Sequence, residues 1–378
     1  MKILIVPSKF ITNYKNRNFQ FLKSYVKSIL NFKFNFNEIR NNFFSTEFYN
    51  YAFFPEINGF ENTFILGEYQ SEYKNNFISK YSRYPSSYNI PKIKSISLNE
   101  AISNLSFFDC VIVGIRSGEI GKKIIKEAKK KNIFLGIIDY YDHPSAYKIK
   151  DNDNHFLTRD LKPNIDFDIY FKHDIPIWNN DKYLFSICPM PINIQNYPKI
   201  EKKIFNQKNI SISFSGRLHK EIHPERYTVW KYLENNVENT SFKETSYLQK
   251  ITINEYCELL NKSLIGFTPY GKVWDSTRHC EMAVYNTVPL ISKPDCKLVD
   301  GFNINDTNAI VYDFQRDSNN YYIKNKNEFL DKVKNVINDE NIHKSISANW
   351  RNDIEKFNTF SARSKYILDN VQKFYEGK

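Results

Sequence analysis

"CVIVGIRSGEIGKKIIKEAKKKNIFLGIID", residues Cys110 to Asp139, carries three patterns in succession. The run "CVIVG" is apolar throughout, as a strand covered on both faces must be. "EIGKKIIKEAKKKN" then spaces its apolar residues for a helix with one buried stripe and a basic outer face, and "IFLGIID" is a second buried strand. Strand, helix and strand in this order form a βαβ unit, whose crossover makes the two strands parallel. The stretch predicts an α/β fold built on a doubly wound parallel sheet.

The same alternation extends in both directions. "MKILIVPS" reads as the first buried strand, "FQFLKSYVKSIL" as a helix, "SLNEAISNL" as a helix with a capping box from Ser97 to Glu100, and "FDIYFKHDIP" as the last strand of the first half. Residues 31–91 are aromatic-rich and show no clear period. "LFSICPMPINIQNYP", with its three prolines, reads as a linker. The second half begins again with the strand "NISISFSG" and the helix "ERYTVWKYLENN". A strand near "SFKETSY", the helix "TINEYCELLNKS" with a capping box from Thr252 to Glu255, and the strand "LIGFTPYG" follow. "EFLDKVKNVI" and "SARSKYILDNVQKFYEG" read as further helices. The expectation is a Rossmann-like domain over 1–190, a linker over 191–207, a second Rossmann-like domain over 208–355, and a helix over 356–378 that packs back on the first. Two such domains would face each other across a cleft at the carboxyl ends of their strands, where ligands bind in doubly wound folds.

Composition fits this picture and removes several function classes. A chain of 378 residues suits two domains, and 41% hydrophobic with 25% charged residues excludes global disorder. The formal net charge of +11 favours anionic partners: phosphorylated ligands, an anionic membrane face, or nucleic acid. Five cysteines without paired spacing argue against a disulfide framework or a zinc knuckle and fit a reducing compartment. "MKILIVPS" is too short an apolar run for a signal peptide, and no run approaches a membrane span, so the expected location is cytoplasmic or peripheral to the inner face of a membrane. Neither G-x-G-x-x-G nor a P-loop is present, nor H-E-x-x-H, a calcium-loop pattern or G-x-S-x-G. No cofactor and no protein-held metal is expected.

The remaining candidates gather just after strands. "SFSGRLHKEIHPERY" places Gly216 at a strand end, where the backbone can approach a ligand closely, with Arg217, His219, Lys220, His223 and Arg226 around the next helix start. "VWDSTRHCEMAVYNTVPLIS" puts Asp275, Ser276, Thr277 and Arg278 at a second helix start, and Glu281 one turn further in. Unpaired N–H groups, hydroxyls and an arginine together suit an anion such as phosphate. Glu281 can accept hydrogen bonds from both hydroxyls of a ribose. A solvated basic loop and a dipole-favoured acid would show the same letters. Asn286 suits the left-handed end of this helix, and "VPLI" is the strand that follows.

The order of strand, Gly-Arg turn, helix, R-x-x-E helix and V-P-L-I strand resembles the carboxyl-terminal domain of GT-B glycosyltransferases. Within them it is most similar to the spore-maturation and exostosin-like group, which carries an R-x-x-E-A-x-A-x-G-x-x-P type segment. Arg278, Glu281, Ala283 and Pro289 match it, with Asn286 in the usual glycine place. The layout also resembles phage DNA glucosyltransferases. The resemblance covers about 209–292 and is architectural over the first half. It implies that the second domain binds a nucleotide-sugar donor and the first binds the acceptor. Gly216, Arg217, Arg226, Ser276, Thr277 and Arg278 would hold the diphosphate without metal, with His223 and Tyr270 beside them, and Glu281 would hold the ribose. If the reaction inverts the anomeric centre, a base is needed from the first domain. "DYYDHPSAY" offers Asp139, Asp142 and His143, and Arg116 could meet the acceptor or a phosphate. The implied partners are a nucleotide sugar and a glycan or lipid-linked acceptor, with peripheral contact to an anionic membrane. A DNA-modifying glucosyltransferase, a non-catalytic sugar-nucleotide-binding protein and a nucleotide-sugar isomerase are the alternative readings.

Overall fold

The computed structural model describes residues 1–7, 53–66, 93–114, 117–139, 167–173, 175, 177, 179, 181–245, 251–270, 274, 276–317 and 320–377. The chain forms two compact units. One comprises Met1–Asn75, Asn89–Ile187 and Phe360–Lys378, and the other Asn76–Tyr88 and Cys188–Thr359. The fold is α/β, with one doubly wound parallel sheet in each unit.

The first unit holds β1 (Ile3–Val6), β2 (Thr63–Leu66), β3 (Lys94–Ile96), β4 (Cys110–Gly114), β5 (Phe134–Asp139), β6 (Ile169–Lys172) and β7 (Leu184–Ser186). Their order is β3-β2-β1-β4-β5-β6-β7, with every neighbouring pair parallel. β1, β2, β4, β5 and β6 are buried along their whole length, and β1, β4 and β5 read as unbroken apolar runs for that reason, whereas β2 falls in the stretch 31–91 that showed no clear period. Among the described residues three helices lie between them: α1 (Phe54–Asn58), α2 (Leu98–Ser103) and α3 (Gly118–Lys130). Ser97 and Glu100 form the expected capping box on α2. Ile124, Ile125 and Ala128 of α3 enter a core with Val111, Val113, Leu135 and Ile137. β7 differs from the sequence reading, which ended the half at β6 and took 184–198 as linker. A strand of three residues shows no readable period.

The second unit holds β8 (Ile210–Gly216), β9 (Thr240–Glu244), β10 (Ser263–Thr268), β11 (Val288–Ser292) and β12 (Ile310–Tyr312), in the order β12-β11-β10-β8-β9. All neighbours are again parallel. β13 (Phe314–Asp317) and β14 (Asn320–Ile323) form a separate antiparallel hairpin. Among the described residues its helices are α4 (Pro224–Asn236), α5 (Ile253–Asn261), α6 (Thr277–Glu281), α7 (Lys326–Asn338) and α8 (Glu340–Phe357). Residues 191–207, expected as a linker, belong to this unit. Trp230 of α4 packs among Phe214, Phe242 and Phe267, with ring centroids 5.8–6.2 Å from its own. Just ahead of β8, the Lys208 ammonium is buried and donates to the carbonyls of Asn261, Ser263 and Tyr285 at 3.0–3.2 Å. That contact joins the ends of two helices to the start of the central strands.

The final helix, α9 (Phe360–Glu376), lies in the first unit. Phe374 meets Phe185 edge-on at 5.5 Å, and the buried Arg363 guanidinium donates to the Ile187 carbonyl.

Candidate functional site

Strand order places the site in the second unit. From β8 the chain steps outward to β9, then returns across β8 to β10, so the sheet reverses direction between β8 and β10. At such a switch point the two following loops diverge and leave a crevice beyond the strand ends. β8 ends at Gly216 and β10 at Thr268. The two stretches singled out in the sequence follow these ends directly.

Gly216 is needed for space. A Cβ there would lie 2.5 Å from Cζ of Phe214 and 3.2 Å from Nη1 of Arg278. Phe214 cannot yield, because it stacks on Phe242 at 5.6 Å and meets Phe267 at 5.2 Å. The missing side chain therefore lets the Arg278 guanidinium lie close against the end of β8.

Two arginines converge on this point. The guanidinium carbons of Arg226 and Arg278 lie 5.7 and 5.9 Å from the centroid of the Phe214 ring. Arg226, near the start of α4, donates to the Arg217 carbonyl at 3.3 Å and to the Tyr270 carbonyl at 3.1 Å. It ties together the two loops that diverge at the switch point. Burial, and then the charge of Arg278, push the Arg226 guanidinium down to about 10, which leaves it charged at neutral pH. The half-buried Arg278 guanidinium has no hydrogen-bond acceptor and no carboxylate partner among the described residues. Two cations held this close repel each other, and an anion between them would lower that repulsion.

The other expected donor residues take distinct places. Arg217 and His223 are half-buried, while His219 and Lys220 point to solvent. Burial, then Arg226, lowers the His223 imidazole below its ordinary value, so it is neutral beside the arginines at neutral pH. The Tyr270 hydroxyl donates to Asp295 Oδ2 at 2.9 Å. Ser276 caps α6 by accepting from the Arg278 N–H at 3.2 Å, and Thr277 is 9% exposed. α6 is a single turn and continues as a 3-10 turn over Met282–Tyr285, which ends at Asn286 in the expected left-handed conformation (φ 51°, ψ 45°). Asp275 lies outside the described residues.

A buried network holds α6 in position. His279 Nε2 lies 2.7 Å from the Trp274 carbonyl, so that nitrogen carries the proton, and Nδ1 accepts from the Thr268 hydroxyl at 2.8 Å. Burial pushes the His279 imidazole down to about 4, which keeps it neutral. The Trp274 indole donates to the Ser292 carbonyl at 2.8 Å, and the Trp350 indole to the His279 carbonyl at 2.9 Å. β10, β11 and α8 thus hold Arg278 and Glu281 from behind. Glu281 is 4% exposed and accepts from the Tyr197 hydroxyl at 3.0 Å.

In the first unit, Asp139 ends β5 as expected. Its carboxylate is 2% exposed, accepts from the Tyr170 hydroxyl at 2.8 Å, and pairs with the Lys172 ammonium at 3.3 Å. Those contacts tie the ends of β5 and β6 together. Arg116, Asp142 and His143 lie outside the described residues.

Sequence reasoning missed three contributors. Tyr197 sits in the stretch taken for linker, and Tyr256 in a helix recognised only by its capping box. Glu225, next to Arg226, accepts from the Tyr312 hydroxyl at 2.7 Å. Burial raises the Glu225 carboxyl, opposed by Tyr312, the Tyr270 N–H and Arg226. Only the adjacency of Glu225 and Arg226 was visible as a signal. Among the described residues no three His, Cys, Asp or Glu side chains gather as metal ligands, and no helix is long and apolar enough to cross a membrane.

No family model and no curated protein sequence matches the chain. The solved structures similar to it are of low identity and low TM-score. Anabaena HepE, in complex with UDP, is 8% identical with a TM-score of 0.47, covering 99% of this chain and 100% of its own. The lipopolysaccharide outer core galactosyltransferase WaaB, in its apo form, is 12% identical with a TM-score of 0.46, covering 99% of both chains. The GtfA/B complex is 13% identical with a TM-score of 0.46 over 73% of this chain, which spans 59% of that structure's length. At these values the functional assignment stands on the residues of the second unit.

Proposed function

We propose that the chain is a glycosyltransferase whose second unit binds a nucleotide-sugar donor, transferring the sugar to a hydroxyl of a glycan or lipid-linked acceptor. The observation that carries this reading is the Arg278 guanidinium, without a carboxylate partner among the described residues, beside Arg226 at the β8/β10 switch point. In the reaction an acceptor oxygen bonds to the anomeric carbon, and the bond from that carbon to the diphosphate breaks. The electron pair leaves on the diphosphate, and the hydroxyl proton passes to a base. Charge therefore grows on the diphosphate in the transition state. Fixed cations at that position stabilise it without reorganising, an effect typically worth about a hundredfold to a thousandfold in rate for one well-placed donor. Arg278 would meet the diphosphate directly. Arg226 would add charge while fixing the loops, and Gly216 would allow close approach. Glu281, three residues beyond Arg278, would accept from the ribose hydroxyls.

Metal independence belongs to the same proposal, because the two guanidinium groups supply the positive charge. So does the expected cytoplasmic or membrane-peripheral location. Lys123, Lys126 and Lys130 project from the exposed face of α3, which supports contact with an anionic bilayer. The experiment is a thermal-shift screen against UDP, GDP, CDP and dTDP sugars in EDTA, since a ligand bound only by the folded state raises the melting temperature. Donors that bind are then offered glycan, lipid-linked and hydroxymethylated-DNA acceptors. Transfer to DNA alone would replace the acceptor class proposed here.

A further inference from the structure

The Glu281 carboxylate has a partner that comes from far outside its own helix. Tyr197 follows a 3-10 turn over Ile194–Asn196, which Asn193 caps by accepting from the Gln195 N–H at 3.3 Å. The Tyr197 ring is 4% exposed, and its hydroxyl reaches Glu281 Oε1 at 3.0 Å. The segment is held just after that contact. Tyr285 donates to the Pro198 carbonyl at 2.9 Å, and Asn261 joins the Glu201 carbonyl at 2.8 Å and the Lys203 N–H at 3.0 Å. Tyr256 of α5 has a buried hydroxyl that makes no hydrogen bond among the described residues but feels the charge of the same carboxylate. Burial and the Glu281 charge hold both phenols well above 10, so each keeps its proton and can only donate to the acid.

A buried carboxylate offers about four lone-pair positions, and its value to a ligand depends on where they point. An acid free to rotate must be ordered when the ligand binds, whereas one already fixed by neighbours need not be. Tyr197 fixes one oxygen of Glu281 without adding any group that a diphosphate would recognise.

We propose that Tyr197, assisted by Tyr256, is a positioning residue that orients Glu281 toward the 2′- and 3′-hydroxyls of the nucleotide, so that discrimination between ribo- and 2′-deoxyribonucleotides depends on the segment preceding β8. The inference rests on the donor-site reading above. It adds that the nucleotide must be a ribonucleotide and that a residue outside α6 enforces this.

The test is isothermal titration of the full chain with UDP and GDP and with their 2′-deoxy counterparts. The wild type is expected to bind the ribo form at least tenfold more tightly, the scale of one hydrogen bond to a charged group. Tyr197→Phe is expected to weaken the ribo form about tenfold and to leave the 2′-deoxy form nearly unchanged, closing the gap. Loss of a merely structural contact would weaken both forms equally. Tyr256→Phe is the second variant and is expected to narrow the same ratio, so the proposal stays testable if Tyr197→Phe does not fold. An unchanged ratio in a folded variant overturns the positioning role and leaves the donor-site reading intact. A wild type that binds none of the four nucleotides overturns both.

Discussion

Arg226 and Arg278 share one aromatic surface, with guanidinium carbons 5.7 and 5.9 Å from the centroid of the Phe214 ring. The ring face favours each cation, but the two cations repel each other, and an anion between them removes that repulsion. Gly216 makes the arrangement possible. In Gly216→Ala the new Cβ meets Phe214 and Arg278, and only Arg278 can move. The expected result is a stability loss of about 1–3 kcal/mol together with weaker nucleoside diphosphate binding. Urea unfolding and calorimetry check both, and wild-type affinity in the variant would contradict the close-approach role.

Asp139→Asn separates a structural acid from a catalytic base. Losing the charge removes the Asp139 partner of the Lys172 ammonium, whose side chain is 2% exposed, and breaking a buried pair costs roughly 3–5 kcal/mol. A marked fall in melting temperature with unaltered nucleotide binding is expected. A variant of wild-type stability that loses about a hundredfold in turnover would instead make Asp139 the general base.

Much of this was legible in the sequence because parallel strands buried on both faces leave unbroken apolar runs. β1, β4, β5, β10 and β11 did so, β8 (ISISFSG) showed instead as alternating serine and apolar residues, and the capping boxes at Ser97 and Thr252 marked two helix starts. α8 was not legible. Its buried stripe of His343, Ile346, Ser347, Trp350 and Ile354 mixes polar with apolar residues, so the helical period is diluted. In the site, cations after strand ends were visible as local patterns. The Tyr197–Glu281 contact spans 84 positions and follows from chain path alone.

Acid should destabilise the second unit through two buried histidines. Burial holds His279 and His343 down to about 4, below the value of about 6.5 for an unfolded histidine. Between those values the unfolded chain binds protons that the folded one does not. The stability they contribute is complete above pH 6.5 and is lost as pH falls toward 4, at roughly 1.4 kcal/mol per pH unit for each. Urea unfolding between pH 7.5 and 5 should show the decline, and imidazole nitrogen shifts should report both rings neutral at pH 5.5. Flat stability over that interval would contradict the assignment.

Lys208→Met tests the anchor beneath β8. The substitution leaves three buried carbonyls without their donor, and roughly 1–3 kcal/mol for each unsatisfied group gives an expected loss of several kcal/mol. Chemical unfolding measures it. A loss below about 1 kcal/mol would show that the carbonyls find other partners.

The central claim is that Arg278 receives the diphosphate of a nucleotide donor without metal. Its most direct test is calorimetric titration of the wild type and Arg278→Ala with UDP and GDP in the presence of EDTA. The expected result is that the wild type binds at least one of them while Arg278→Ala, still folded, binds it tenfold or more weakly. Equal affinity in the two proteins, or no binding of either nucleotide by the wild type, would contradict it.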